Sequence, residues 1–169
     1  PSLRLVDADD TMAPGTTVVQ AEHGWPGRYV LTAAGAPRVL FCDNETNVTA
    51  VFGPDAGASM SAHPKDGVGR AVVDGDDTGT NPGSTGTKVG LVYRFASVAP
   101  GETVRVQLRL RADHQVERPF GRPFASVLQD RHREADEFYA AVIPAGVSDE
   151  DRHIARRAFA GLNWGKQLY

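Results

Sequence analysis

Three polar segments hold the residue types best able to do chemistry. The first, 42–47, reads CDNETN and sets a thiol, carboxylates and amides side by side. The second, 63–67, reads HPKDG, and the third, 81–88, reads NPGSTGTK. Amides, carboxylates and a lysine can position sugar hydroxyls, but Asn, Asp, Pro and Gly are also common in turns. Composition alone favours polar turns, and a binding role is the alternative interpretation.

The residue patterns do not match several well-known kinds of functional site. The third segment resembles a phosphate-binding loop only superficially, because Lys88 follows a threonine and a strand is predicted next. The five histidines lack metal-ligand spacing, and His132 and His153 are predicted to be surface groups. Cys42, the single cysteine, follows an apolar run and is interpreted as a small buried hydrophobic residue. We therefore predict no metal and no cofactor.

Two sequence triplets, at 44–46 and 47–49, match the N-glycosylation pattern. The pattern is frequent by chance and requires a secretory context. Glycosidase chemistry would need two carboxyl groups, one as the proton donor and the other as the base. The sequence has 21 acidic residues, so their types alone do not single out such a pair.

Composition narrows the class of protein. The chain has 169 residues, of which 41% are hydrophobic and 23% charged, with a net charge of -3. These values are typical of a soluble globular chain of one domain or one and a half. The slightly acidic balance argues against a nucleic-acid partner, and no apolar run approaches the roughly 18 residues that cross a bilayer. We expect no membrane partner and a cytoplasmic location.

The first two thirds of the sequence predict β-structure. Short apolar runs bounded by turn residues indicate strands at 2–6, 16–22, 28–32, 38–42, 49–52, 69–73, 88–97 and 102–111. The last two runs alternate most clearly, and Pro100 and Gly101 between them predict a hairpin. Many short strands favour a sandwich or a large antiparallel sheet. The long polar stretch 54–88 is predicted to be a functional or disordered loop.

After Pro123 the apolar period changes from 2 to about 3.6, which predicts a helix that ends at Pro144. The run 148–151, SDED, resembles a capping box and predicts the start of a second helix. That helical pattern continues to Tyr169, and the sequence begins at Pro1 without a signal segment. We therefore expect a piece of a longer protein, with further helices after Tyr169.

A series of motifs occurs in order along nearly the whole chain: PSLR at 1–4, FCDNETN at 41–47, VFG at 51–53, PKDG at 64–67, NP at 81–82, GTK at 86–88, READEFY at 133–139 and GLNWGKQLY at 161–169. Together they resemble large bacterial proteins related to glycoside hydrolase family 63, which includes mannosyl-oligosaccharide glucosidases and mannosylglycerate hydrolases. Where relatives tend to have Trp-Ser-Lys-Gln-Phe-Tyr, this chain has Gly165 and Leu168 in place of the Ser and the Phe.

The resemblance implies a mainly β fold with C-terminal helices. Residues 1–118 would be the later part of an N-terminal β-super-sandwich, 119–146 a linker helix, and 147–169 the first helix of a truncated (α/α)6 barrel. Such relatives hydrolyse α-linked oligosaccharides or glycosyl-glycerates with inversion, using an Asp general acid and a Glu general base in the barrel. Both should lie beyond Tyr169, so we predict no catalytic residue in this chain and no activity for the chain alone.

The resemblance also gives the polar segments a partner, namely the barrel of the same polypeptide and its carbohydrate substrate. The candidate residues are Asn44, Glu45, Asn47, Lys65 and Asp66, which we expect to face the barrel. They would either rim the substrate pocket or only stabilise the docking of the two domains, and both roles stay open. Trp164 and Lys166 are further candidates on the barrel helix, where Trp164 is either a core residue or a sugar platform.

Two other functions remain possible on the sequence. One is a free-standing β-sandwich module that binds carbohydrate or another protein. Such a module should end in a capped, closed element. The other is a homologue that has lost catalysis, which only the barrel's acidic positions would reveal.

Overall fold

The computed structural model describes residues 2–10, 12–25, 27–115 and 118–165. Two compact units divide the chain, Pro1–Phe120 and Gly121–Tyr169. The first unit contains the strands β1 (Ser2–Val6), β2 (Thr17–His23), β3 (Gly27–Ala33), β4 (Arg38–Cys42), β5 (Thr85–Gly86), β6 (Lys88–Val92) and β7 (Leu108–Ala112), and the helices α1 (Val48–Phe52) and α2 (Gly67–Val73). The second unit contains the helices α3 (Arg122–Val142) and α4 (Asp149–Trp164). The expectation of β-structure followed by C-terminal helices is confirmed.

The strands of the first unit form two antiparallel sheets. The larger sheet has the order β5-β1-β2-β3-β7, and β4 pairs with β6 in the smaller one. In the larger sheet Leu5 lies opposite Val19, which lies opposite Leu31, so apolar side chains share one face across the strands. The buried core residues of this unit are Val18, Val19, Val30, Thr32, Ala33, Leu40, Phe41, Cys42 and Ala71.

The first four strands confirm their sequence prediction to within a residue or so at each end. Two other predicted strands are wrong, because 49–52 lies in α1 and 69–73 lies in α2. The β-branched residues that suggested strands are solvent-exposed here, as Val51 and Val73 show. A side-chain cap at Asn47 begins α1, and local capping outweighs β propensity in so short a run.

The predicted hairpin of 88–97 with 102–111 is also wrong. β6 pairs with β4, and β7 pairs with β3, so the two runs belong to different sheets. Alternation identifies the two faces of a strand but not its neighbour. The stretch 54–88 is not an open loop either, since it holds α2, β5 and the 3-10 helices Pro54–Ala56 and Asp77–Gly79.

The second unit is a pair of amphipathic helices. Ser148 caps α4, as its sequence predicts, by accepting a hydrogen bond from the Asp151 backbone at 3.1 Å. Aromatic rings join the helices, with Phe138 and Phe159 in an edge-on contact of 6.5 Å between ring centres. Arg156 pairs with Asp136 at 2.7 Å and lies over the Tyr139 ring. Within the described residues, neither helix has a fully buried side chain.

Among the described residues, every helix is too short or too polar to cross a membrane.

Candidate functional site

The candidate site is built around the end of β4, where the chain leaves the smaller sheet. Cys42, the last residue of this strand, is completely buried. A Cβ on Gly86 would lie 2.3 Å from the Cys42 carbonyl oxygen, and one on Gly67 would lie 2.1 Å from the Gly79 carbonyl oxygen. Such distances are too short for any side chain, so glycine is required where these backbones meet. This packing fixes the turn that follows β4.

Asp43 ties that turn to two other segments. Its carboxylate accepts a hydrogen bond of 2.6 Å from the Ser61 hydroxyl and one of 3.2 Å from the Thr87 backbone N–H. Its own backbone N–H donates to the His63 carbonyl oxygen at 2.7 Å. The Thr87 hydroxyl in turn accepts from the Asn44 backbone N–H at 2.7 Å. Asp43 is therefore the central residue of a polar cluster, although it was not among the sequence candidates.

The structure brings the five loop candidates of the sequence into this cluster. The Asn47 side chain donates to Asp66 Oδ2 at 2.9 Å, and the Lys65 backbone N–H donates to the Glu45 carbonyl oxygen at 3.0 Å. Asn44, Glu45 and Lys65 are exposed, and within the described residues their side chains have no partner. Asn47 and Asp66 are half-buried and bonded to each other. The first three can therefore contact a ligand or another domain, whereas the latter two hold the backbone in place.

Two buried polar atoms near the cluster lack a hydrogen-bond partner among the described residues. They are Nδ1 of His63 and Oδ1 of Asp66. His63 also lines an open cleft of about 530 Å³ together with Asp77, Thr78 and Thr80. Buried unpaired polar atoms are uncommon in folded proteins and are often satisfied by a bound molecule.

Apolar residues lie exposed beside the cluster. Asn47 caps α1, and the last two residues of this helix are Val51, 62% exposed, and Phe52, 68% exposed. Met60 in the following loop is also exposed. Large apolar side chains next to polar ones are typical of interaction surfaces.

The further candidate Trp164 belongs to the second unit, where it lies at the end of α4 and is 90% exposed. Among the described residues it is therefore not part of a buried core. Lys166 lies outside the described residues.

An ion-pair network that the sequence did not single out stabilises the turn after α2. Arg70 pairs with Asp76, and the carboxylate of Asp76 accepts hydrogen bonds from the Thr78 hydroxyl and backbone N–H. These bonds lower the pKa of Asp76 from 3.8 to about 2, with Thr78 the larger cause and Arg70 the next. The same pairing raises the pKa of Arg70. Arg38 on β4 pairs with the neighbouring Asp77, which joins this turn to the smaller sheet.

The Cys42 thiol at the centre of this packing is buried and carries no sign of activation. Burial raises the pKa of the Cys42 thiol, and the nearby carboxylates of Asp66 and Asp43 add to this, so the thiol is not an activated nucleophile. The described residues contain no group of three or more His, Cys, Asp or Glu side chains able to hold a metal ion. The prediction that Cys42 is a buried hydrophobic residue is confirmed.

The chain is similar to an uncharacterized protein of Saccharomyces cerevisiae, YMR196W. The two sequences are 36% identical in an alignment of 141 positions, which covers 79% of this chain and 13% of the yeast protein. The chain thus spans about 13% of the length of this relative, whose name states no activity. No protein-family model matches the chain, and no solved structure matches it at a significant level.

Proposed function

We propose that the chain is the non-catalytic part of an inverting α-glycoside hydrolase that resembles family 63. Its antiparallel sheets would belong to a β-super-sandwich, α3 would be the linker helix, and α4 would begin an (α/α)6 barrel. The order of sheets followed by two amphipathic helices supports this proposal. The much greater length of the yeast relative supports placing such a sequence within a large protein. A cytoplasmic location is part of the same proposal.

The polar cluster at the end of β4 is the observation that carries the proposal. Asn44, Glu45 and Lys65 expose side chains that have no partner in the described part of the chain, and the bonds of Asp43 and Asn47 hold their backbone in place. Such side chains can donate to and accept from sugar hydroxyls at the rim of a pocket. Because Val51 and Phe52 are exposed alongside, the same surface is also suited to packing against another domain. Barrel docking and substrate contact are therefore both compatible with this surface.

Substitutions in the complete polypeptide distinguish the two roles. Glu45→Ala and Lys65→Ala should lower kcat/KM for an aryl α-glycoside, with an unchanged Tm, if these side chains contact substrate. A lower Tm with unchanged kcat/KM would assign them to domain docking. Arg105→Ala, at an exposed position of the first unit outside the cluster, is the matched control. Lack of turnover of any α-glycoside by the complete polypeptide would contradict the glycosidase proposal and leave a homologue without catalysis.

The second candidate function is a module that binds carbohydrate independently of a barrel. An open groove on the larger sheet favours it, because this groove is lined by polar side chains of β1, β2 and β5.

A further inference from the structure

One edge of the larger sheet carries a groove that adjoins the cluster described above. Its volume is about 530 Å³, which lies within the usual range of ligand pockets. Ser2 lies opposite Glu22 in the sheet, and Arg4 lies opposite both Gln20 and Thr85. Side chains at paired positions point to the same face of a sheet, so these five residues form one surface.

The guanidinium of Arg4 is held in a fixed position in the groove. Arg4 donates to the Gln20 side-chain oxygen from Nε, at 2.8 Å, and also from Nη2. These two hydrogen bonds across the strands hold the guanidinium in place, and its remaining N–H groups have no acceptor among the described residues. Glu22, on the same face, is exposed and has no partner among the described residues. The groove therefore presents fixed donors next to a free carboxylate acceptor.

The charges of the groove select the class of ligand. An anion would be attracted by Arg4 but repelled by Glu22, and a cation would experience the reverse. A hydroxyl both donates and accepts, so neighbouring hydroxyls can pair with the guanidinium and the carboxylate at the same time.

The groove is connected to the polar cluster through Thr87. This residue lines the groove, while its hydroxyl accepts from the Asn44 backbone and its own N–H donates to Asp43. Gly86 beside it has no space for a side chain. The wall formed by β5 is thus held by the same contacts that fix the turn after β4.

We propose that this groove binds a neutral saccharide, with Arg4 and Glu22 as its two polar anchors. The proposal deepens the second candidate function and needs no hydrolysis, so it can fail while the glycosidase proposal stands, and the reverse.

The test is a titration of the isotope-labelled chain with maltotriose, followed by amide NMR shifts. The expected result is saturable shifts at Leu3, Arg4, Thr85 and Gly86, with a Kd on the order of 1 mM. Arg4→Ala and Glu22→Ala should each weaken binding by roughly tenfold, because each removes a charge-assisted hydrogen bond. Arg105→Ala should bind as the unsubstituted chain does.

Three results would overturn the proposal. The first is the absence of saturable shifts in this part of the sheet. The second is binding by the Arg4→Ala and Glu22→Ala variants as tight as that of the unsubstituted chain, when their spectra show folded protein. The third concerns the ligand class, since glucuronate binding more tightly than maltotriose would mean that Arg4 forms an anion site.

Discussion

The side-chain amide of Asn47 donates a hydrogen bond of 2.9 Å to Asp66 Oδ2. Asn47 immediately precedes α1 and Asp66 immediately precedes α2, so this bond joins the starts of two helices. The side-chain oxygen Oδ1 of Asn47 also accepts from the Ala50 backbone N–H at 3.1 Å, which caps α1. One side chain thus serves two structural purposes, while its neighbours Asn44 and Glu45 remain exposed.

Asn47→Ala should destabilise the first unit by about 1–3 kcal/mol, because it removes both the helix cap and the bond to Asp66. Asp66→Ala should cost less, since it also removes the buried Oδ1, which has no partner among the residues that the structure describes. Urea unfolding of both single variants and the double variant measures the coupling, which we expect to be roughly 0.5–1.5 kcal/mol. Asn44→Ala, at an exposed position, should change stability by less than about 0.5 kcal/mol. Strict additivity of the two variants would show that the bond contributes nothing.

Two glycines of α2, Gly67 and Gly69, should have opposite effects on stability when each is replaced by alanine. Gly67→Ala should destabilise by more than about 3 kcal/mol or prevent folding, because its Cβ would lie 2.1 Å from a backbone oxygen and 2.9 Å from Cys42 Sγ. Gly69→Ala has open space around its Cβ and should stabilise by up to about 1 kcal/mol through helix propensity. Thermal unfolding of the two variants measures the difference. Equal stability of both would contradict the close packing of Gly67 against the Gly79 backbone.

The parts of the fold that the sequence predicts are those with a local cause. The helix start at Ser148 follows from a side chain that satisfies a backbone N–H three residues later. The four N-terminal strands follow from apolar runs bounded by turn residues. Strand partners depend on contacts between distant residues, so the pairing of β6 with β4 could not be read from alternation.

In the candidate site, too, the residue types could be predicted from the sequence, whereas the contacts between distant residues could not. Polar residues at 44–47 and 65–66 could be selected for their types, but their proximity depends on the bond between Asn47 and Asp66. The residue type of Asp43 does not single it out, because an aspartate after a strand is an ordinary turn residue. Its importance comes from Ser61 and Thr87, which are distant in sequence. The groove at Arg4 likewise depends on strand register, since Ser2, Gln20 and Glu22 come from two strands.

The Asp76 carboxylate should make the stability of the first unit sensitive to acid. Its pKa is lowered from 3.8 to about 2 in the folded chain, so the folded state favours the charged form. The stabilisation is fully present above pH 3.8 and is lost as the pH falls through about 2. Asp76→Asn should flatten the dependence of Tm on pH in this window. Asp55→Asn, at an exposed carboxyl group, is the control and should leave the dependence intact. An unchanged slope in the Asp76 variant would contradict the contribution of this carboxylate.

The thiol of Cys42 should be unreactive in the folded chain. It is fully buried, and its raised pKa leaves little thiolate at mildly alkaline pH. Because this is the single cysteine, a chromogenic disulfide reagent reports on it alone. We expect slow modification under native conditions and rapid stoichiometric modification in denaturant. Rapid reaction of the folded chain would show that the end of β4 opens readily.

Ser148→Ala should destabilise α4 by about 1 kcal/mol, because the Ser148 hydroxyl accepts from the Asp151 backbone N–H at the first turn. The hydroxyl also donates to the Asp151 carboxylate at 2.7 Å, which fixes its orientation for capping. Hydrogen exchange of the α4 amides measures the effect, and faster exchange should concentrate in the first turns of this helix. Ser126→Ala, at an exposed position inside α3, is the matched control and should slightly favour the helix, since alanine has the higher helix propensity. Equal effects of the two substitutions on their own helices would contradict the role of Ser148 as a cap.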